Sequence, residues 1–296
     1  MTSSGQATQP LPSEAKGSRF NEIATAPSGP RNDNLRILKL TLAYDGSRLE
    51  GWQRQSKERT VQGELERALQ QITGAKVRVT GAGRTDSGVH AEGQVAHAVL
   101  RTRLSPSVLQ RALNAILPGD IVVRSVRVAP SGFHARYDAR SKLYRYTLWN
   151  HAVRPLFGRE QLTHVSDPLD LPAMRRAARR LQGRHDFRAF CSEPGKASGA
   201  ASSSRSRSGR PVRSTIRHLR RLTVTREGPR VTIQAEADGF LYHMVRRMAG
   251  LLIEVGKGKI KPEGVRPLLA KRGLTPIGFI PPTAPARGLC LVKIRY

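Results

Sequence analysis

The chain has 296 residues, 38% of them hydrophobic, which is enough for one large or two medium packed domains. Lys and Arg number 51 against 22 Asp and Glu, a formal net charge of +29, so polyanions are the first partners to consider. No apolar run has the length of a membrane span, no basic amphipathic helix stands alone, and Cys191 and Cys290 fit neither a zinc spacing nor a disulfide scaffold. A basic excess can also be no more than a solvated surface. The N-terminus lacks the charged start and apolar stretch of a signal peptide, and Glu14, Glu22 and Asp33 interrupt a transit-peptide pattern. A reducing cytoplasm is the expected location.

Residues 1–34 are rich in Ser, Gly, Pro, Asn and Thr and predict a disordered tail. Leu38, Leu40, Leu42 and Tyr44 alternate with polar or small residues, which predicts a half-buried strand. Val61, Leu65, Ala68, Leu69 and Ile72 then repeat at helical spacing behind Thr60, a capping residue. Strands are expected around Val77–Val79 and from Gln94 to Leu100. A helix is expected over Val108–Ile116, stopped by Pro118-Gly119, and a fourth strand over Ile121–Val128. The order is β-α-β-β-α-β, the ferredoxin-like arrangement.

The second half predicts the same order. Leu143–Leu148 reads as a strand, and Leu171, Met174, Ala178 and Leu181 as a helical stripe. A hairpin is expected about Gly228-Pro229, between Leu222–Val224 and Val231–Ala235. Leu241, Met244, Val245, Met248, Leu252 and Val255 predict a long helix, and Cys290–Tyr296 a last strand. Two α+β halves with mostly antiparallel sheets and a basic cleft between them are therefore expected. Their boundaries fall at 35–138 and 139–296, with a mobile Ser/Arg-rich loop at 193–211. Residues 174–230 hold sixteen Lys and Arg against three Asp and Glu, so the positive field concentrates in the second half.

Three segments can carry chemistry. Gly81-Ala-Gly-Arg-Thr-Asp-Ser-Gly-Val-His-Ala91 joins two apolar strands, and its glycines allow a tight turn and close approach of a ligand. Arg84 lies two residues before Asp86, and a cation beside a half-buried carboxylate keeps it ionised. A carboxylate on a rigid turn can serve as nucleophile or base. The same pattern fits an Asx-type turn with a surface ion pair, and composition alone does not choose. No Gly-Lys-Ser/Thr follows, so this is no P-loop, and no Asp-x-Asp or Glu-x-x-Glu pattern suggests a two-metal nuclease.

In Phe133-His-Ala-Arg136 and Tyr144-Arg-Tyr146, aromatics alternate with cations, as suits stacking on bases beside phosphates. Tyr144 and Tyr146 share a strand face, and a core tyrosine pair is the plainer reading for one of them. In Gly239–Arg247, Arg246 lies off the apolar stripe with Gly250 one turn on, which would leave room for an anion near a helix start.

Taken in order, these and further segments resemble the tRNA pseudouridine synthase A family. The matching residues are Tyr44-Asp-Gly46, Gly51-Trp-Gln-Arg-Gln55, Thr60-Val-Gln-Gly63, Gly81–His90, Leu117-Pro-Gly-Asp-Ile121, Phe133-His-Ala-Arg136, Tyr144-Arg-Tyr146, His243-Met-Val-Arg246, Glu254-Val-Gly256 and Pro282–Leu289. The resemblance implies the pseudouridine synthase fold, a homodimer, no cofactor or metal, and isomerisation of uridines at positions 38–40 of the tRNA anticodon stem-loop. It places Asp86 where the family has its catalytic aspartate. Arg84 falls on the arginine that pairs with that aspartate and helps open the stem. Tyr144 falls on the tyrosine that stacks near the target base, and Arg246 and Leu289 on residues lining the pocket. Ser87, Cys290 and Tyr242 depart from residues common in the family. Charge alone would also fit a non-catalytic RNA-binding or assembly protein, and the same fold a synthase acting at another RNA position. An acid held in a basic groove favours the enzyme.

Overall fold

The computed structural model describes Met1 and residues 35–192, 214–269 and 280–296. Apart from Met1, the tail expected at 1–34 lies outside the described residues, and so does the loop expected at 193–211.

The first half runs β1 (Leu35–Tyr44), α1 (Val61–Thr73), β2 (Val79–Gly81), β3 (His90–Arg101), α2 (Pro106–Ile116) and β4 (Ile121–Val128). The second runs β5 (Ser141–Asn150), β6 (Thr163–Val165), α3 (Leu171–Leu181), β7 (Gly183–Asp186), β8 (Ile216–Glu227), β9 (Arg230–Ala237), α4 (Met244–Gly256) and β10 (Leu289–Arg295). Local chemistry sets the ends. Thr60 accepts a hydrogen bond from the Gly63 amide at the start of α1, and Gly74 closes that helix at φ 71°. Ser105 caps α2, with Pro106 in its first turn, and Asp170 caps α3. Helix α4 begins at Met244 rather than at the expected Leu241, because His243 sits at φ 61°, off the helical path.

The β-α-β-β-α-β order holds in both halves, and β6 and β7 are additions that period-2 patterning did not reveal. Each half also pairs its strands alike: β4-β1-β3-β2 in the first and β10-β5-β9-β8 in the second. The expected separate sheets are instead one ten-stranded sheet, ordered β4-β1-β3-β10-β5-β9-β8-β7, with β2 on β3 and β6 on β5. The join follows from strand length. Residues Ala96–Ala98 of β3 take β2, whereas His90 and Ala91 at its other end pair in parallel with Cys290 and Leu291 of β10. Without β10 that stretch of backbone would be an open edge.

Register then aligns one row of side chains across the whole face: Tyr44, Ala91, Leu291, Tyr144, Ala235 and Leu222. All six are buried, Tyr144 at 7% exposure. Neighbours directly opposite in a ladder point the same way, so this row lies on a single side of the sheet.

Candidate active site

The β2–β3 turn is held from several sides. Gly81 lies against Trp52, whose indole Nε1 would stand only 2.7 Å from an added Cβ. Gly51, at φ 81°, lets the chain reverse so that the Trp52 amide donates to the Thr85 carbonyl at 3.0 Å. The Gly88 amide donates to Leu49 at 3.2 Å, and the Val89 amide to the Asp86 carbonyl at 3.2 Å, closing the turn. Gln94 donates to the Gly83 carbonyl at 2.8 Å and to the Tyr44 hydroxyl at 3.3 Å. The Tyr44 hydroxyl therefore has its own proton to offer Thr85 Oγ1, 2.8 Å away. From the second half, Lys142 Nζ donates to the Ala82 carbonyl at 2.7 Å. Burial pushes that ammonium down to about 8.

This frame presents Asp86 with its side chain 22% exposed. Both contacts fall on one oxygen: Arg246 Nη1 lies 3.2 Å and His243 Nε2 3.4 Å from Oδ2. No hydrogen bond among the described residues reaches Oδ1. Arg246 is itself anchored, since its Nε donates to the Ala284 carbonyl at 2.8 Å and its own carbonyl accepts from the Ala284 amide at 3.1 Å. Burial lowers the His243 imidazole below its ordinary value, with Arg246 and Arg247 acting the same way and Asp86 opposing them. The carboxylate thus meets one anchored cation and one imidazole disposed to be neutral.

Tyr144 lies in the buried row beside this turn, edge-on to Phe240 at 5.2 Å between centroids. Burial raises its phenol far above the usual range, so it stays neutral, and its hydroxyl has no hydrogen bond among the described residues. Tyr146 differs: it is fully buried, and its hydroxyl meets Thr163 Oγ1 at 2.7 Å and donates to the Pro285 carbonyl at 2.8 Å. Of the tyrosine pair, Tyr146 is the core member. Leu289, 5% exposed, opens β10 opposite Tyr146.

Two local expectations change. Arg84 is exposed and makes no ion pair among the described residues, so Asp86 finds its cation on α4 and not two residues away. In this extended turn a side chain two positions off does not reach back. The space beside Gly250 is not open to an anion either. A methyl there would overlap the Pro282 carbonyl oxygen and stand 2.9 Å from its carbon.

Several contributors escape sequence reading. His243 sits in a quoted motif but at no periodic position. Lys142 shares the strand face of Tyr144 and Tyr146, but a lysine there carries no sequence signal of burial. Tyr44 sits in a quoted motif without a role, and Gln94 reads only as a strand residue. The Phe133–Arg136 segment is a packing element, where the Ala135 amide donates to His97 Nδ1 at 3.1 Å and the Tyr296 hydroxyl to the Ala135 carbonyl at 2.7 Å.

Away from Asp86, a depression of about 540 Å³ is lined by Arg176, Arg179, Arg180, Gln182, His185, Arg266 and Leu269. Arg180 is paired with Glu263 at 2.8 Å, whereas Arg176, Arg179 and Arg266 have no ion pair among the described residues. Among those residues no cluster of three His, Cys, Asp or Glu is placed to hold a metal, and no helix is long and apolar enough to cross a membrane.

A family model described as tRNA pseudouridine synthase matches residues 41–138 and 177–296. The tRNA pseudouridine synthase A of Moorella thermoacetica is 46% identical over 262 residues, covering 88% of this chain and 99% of that protein. The Geobacillus kaustophilus protein of the same name is 42% identical over 260 residues, covering 88% and 94%. That of Salmonella paratyphi B is 39% identical over 269 residues, covering 91% and 93%.

Proposed function

This chain belongs to the tRNA pseudouridine synthase family, and from that premise we propose that Asp86 carries its reaction. The protein is an isomerase that converts uridine to pseudouridine in tRNA. The observation that supports the assignment to Asp86 is the asymmetry of its carboxylate. Oδ2 is fixed by Arg246 and approached by His243, while Oδ1 is left for a substrate.

In the reaction the bond from C1′ to N1 of the base breaks, the base turns, and a bond from C1′ to C5 forms. N1 gains a proton and C5 loses one. Oδ1 begins this by adding to C1′ or by taking the C2′ proton. Both require the nucleotide to leave the helical stack, because paired and stacked it keeps its sugar and base edges from a half-buried group. The Arg246 guanidinium sets a positive charge 3.2 Å from Oδ2 and fixes the position of the carboxylate. Tyr144, neutral and rigidly packed, offers an aromatic surface for the extruded base, and Leu289 an apolar wall. Arg84, exposed on the same turn, is free to meet the RNA as it opens. No step calls for a redox cofactor, since the product is an isomer of the substrate.

We place the targets at positions 38–40 of the anticodon stem-loop and the enzyme in the cytoplasm as a homodimer. Residues 35–138 then form the half bearing Asp86, and residues 139–296 the half supplying Arg246, Tyr144 and most of the excess positive charge. Asp86→Asn keeps the side-chain shape while removing the charge. It is expected to bind tRNA normally and to form no pseudouridine, measured by base-specific chemical labelling of the product. Turnover at the wild-type rate would overturn the assignment.

A further inference from the structure

The approach to Asp86 contains an imidazole that the family resemblance assigned no role. His243 precedes α4 and is the single non-glycine residue with positive φ among the described residues, at 61°. Side chains with a Cβ enter that region at a cost, and such outliers persist where the surroundings fix them. Here the backbone turn aims both ring nitrogens. Nδ1 lies 3.1 Å from Ser192 Oγ and Nε2 lies 3.4 Å from Asp86 Oδ2. The ring is stacked on Tyr242, centroids 3.9 Å apart and planes 24° apart, which leaves it little freedom to rotate. Its side chain is 19% exposed.

We propose that His243 is a positioning residue for Asp86, held by Ser192 and turning the carboxylate so that Oδ1 faces the sugar. This rests on the reading of Asp86 as the reacting carboxylate. An ionised carboxylate only accepts hydrogen bonds, so Nε2 must carry the proton directed at Oδ2. A neutral ring then has a bare Nδ1, and the Ser192 hydroxyl must donate to it. The serine thereby selects the tautomer, and the tautomer selects which carboxylate oxygen is occupied. A separation of 3.4 Å is longer than a formed hydrogen bond, and contacts of this kind tighten when substrate closes the site.

Arg246 alone would not suffice. It restrains Oδ2 at one point, and a carboxylate held at one point can still swing about its Cβ–Cγ bond. A second donor on the same oxygen removes that freedom. The charged groups facing His243 are Asp86 from the β2–β3 turn and Arg246 and Arg247 from α4; Ser192 and Tyr242 complete its surroundings. Burial, with the two guanidinium groups acting the same way and Asp86 opposing, lowers the imidazole below its ordinary value and so favours the neutral ring. Protonation at lower pH would place another full positive charge on Oδ2 and weaken Asp86 as nucleophile or base.

The test uses the full chain with intact tRNA and reads single-turnover rate at saturating enzyme beside binding affinity. His243→Ala should slow the chemical step by about 10- to 100-fold, the span of a hydrogen bond to a charged group, with affinity unchanged. Gln can present an amide N–H where Nε2 stood, so His243→Gln should recover most of that loss. The acid side of the wild-type rate profile should include protonation of the imidazole, a step that the Gln variant lacks.

Backbone strain at position 243 could disturb either variant, so a second measurement leaves His243 in place. Its imidazole titration, followed by NMR, should move down in Asp86→Asn, which removes the carboxylate that favours the imidazolium. A titration unmoved by Asp86→Asn would overturn the contact. Equal impairment of the Ala and Gln variants, or wild-type rates and profiles in both, would overturn the positioning role while an inactive Asp86→Asn left the Asp86 reading standing. Pseudouridine formation by Asp86→Asn would instead remove that reading, and this proposal with it.

Discussion

The most demanding consequence of this geometry lies one helical turn beyond Arg246. Gly250 is buried in α4, where Ala would ordinarily stabilise a helix by about 1 kcal/mol over Gly. The structure predicts the opposite sign for Gly250→Ala. The new methyl would overlap the Pro282 carbonyl oxygen and stand 2.9 Å from its carbon, against about 3.5–4.0 Å for an ordinary carbon contact. Residues 282–284 must therefore retreat by about 1 Å. That retreat pulls on the Ala284 amide's bond to the Arg246 carbonyl and on the Arg246 Nε bond to the Ala284 carbonyl. One neutral and one charge-assisted hydrogen bond are together worth about 2–4 kcal/mol, so net destabilisation should be about 1–3 kcal/mol after the helix gain. Activity should suffer more. A guanidinium displaced by about 1 Å from the carboxylate it orients can cost about a hundredfold in rate. Single-turnover release of tritium from C5-labelled uridine in tRNA reads the chemical step, and thermal melting reads stability. Gly119→Ala is a control, because nothing lies within 4 Å of a Cβ there. A Gly250→Ala protein that melts at or above the wild-type temperature with an unchanged rate would refute the role given to this strap.

Charge reversal at Arg176, Arg179 and Arg266 should weaken tRNA binding and flatten its salt dependence by about one unit per lost phosphate contact, with the saturated rate nearly intact. Arg180 is left out because Glu263 already neutralises it. An unchanged salt slope in filter binding would remove that depression from the RNA path. Lys142 has a folded-state value of about 8 against 10.5 unperturbed, so between those values the unfolded chain binds more protons. Its burial therefore lowers stability fully below pH 8, by an amount on the order of 3 kcal/mol, and the penalty fades as pH rises toward 10.5. Denaturant titrations should show that rise in the wild type and not in Lys142→Met; parallel profiles would contradict it.

Much of the fold was legible because burial on one face leaves a period. Leu38, Leu40, Leu42 and Tyr44 are buried in alternation, and Val61, Leu65, Ala68 and Leu69 form the inward side of α1, as their spacing requires. What periodicity cannot encode is which strand edges meet. The pairing of β10 with His90 and Ala91 spans some 200 residues of chain and depends on where β2 stops on β3. Strands of three or four residues, such as β6 and β7, are too short to show a period at all. The site divides the same way. Asp86 stood out because glycines flank it in a polar turn. The partner of Asp86 did not, because Arg84 is near in sequence and Arg246 is near in space. His243 was hidden for a different reason: its role depends on one backbone angle, and residue type alone does not report an angle.

The placement of Asp86 follows from how the two repeats are joined. Each repeat, taken alone, pairs its strands in the same order and ends with one strand at an edge. Only at the junction do a turn of one repeat and a helix of the other face each other over a common row of side chains. Tyr44 in that row bonds Thr85 beside Asp86, and Tyr144, also in the row, borders the same turn from the second repeat. Leu291 joins them through β10, and the strap leading into β10 carries Ala284, the anchor of Arg246. A single strand thus fixes sheet continuity, the position of Tyr144 and the cation on Asp86 together. Rigid elements define positions more closely than free loops do. A carboxylate that must meet one atom of an extruded sugar is therefore best mounted where two sheets are locked into one, and the hydrogen bonds on either side of β10 provide that lock.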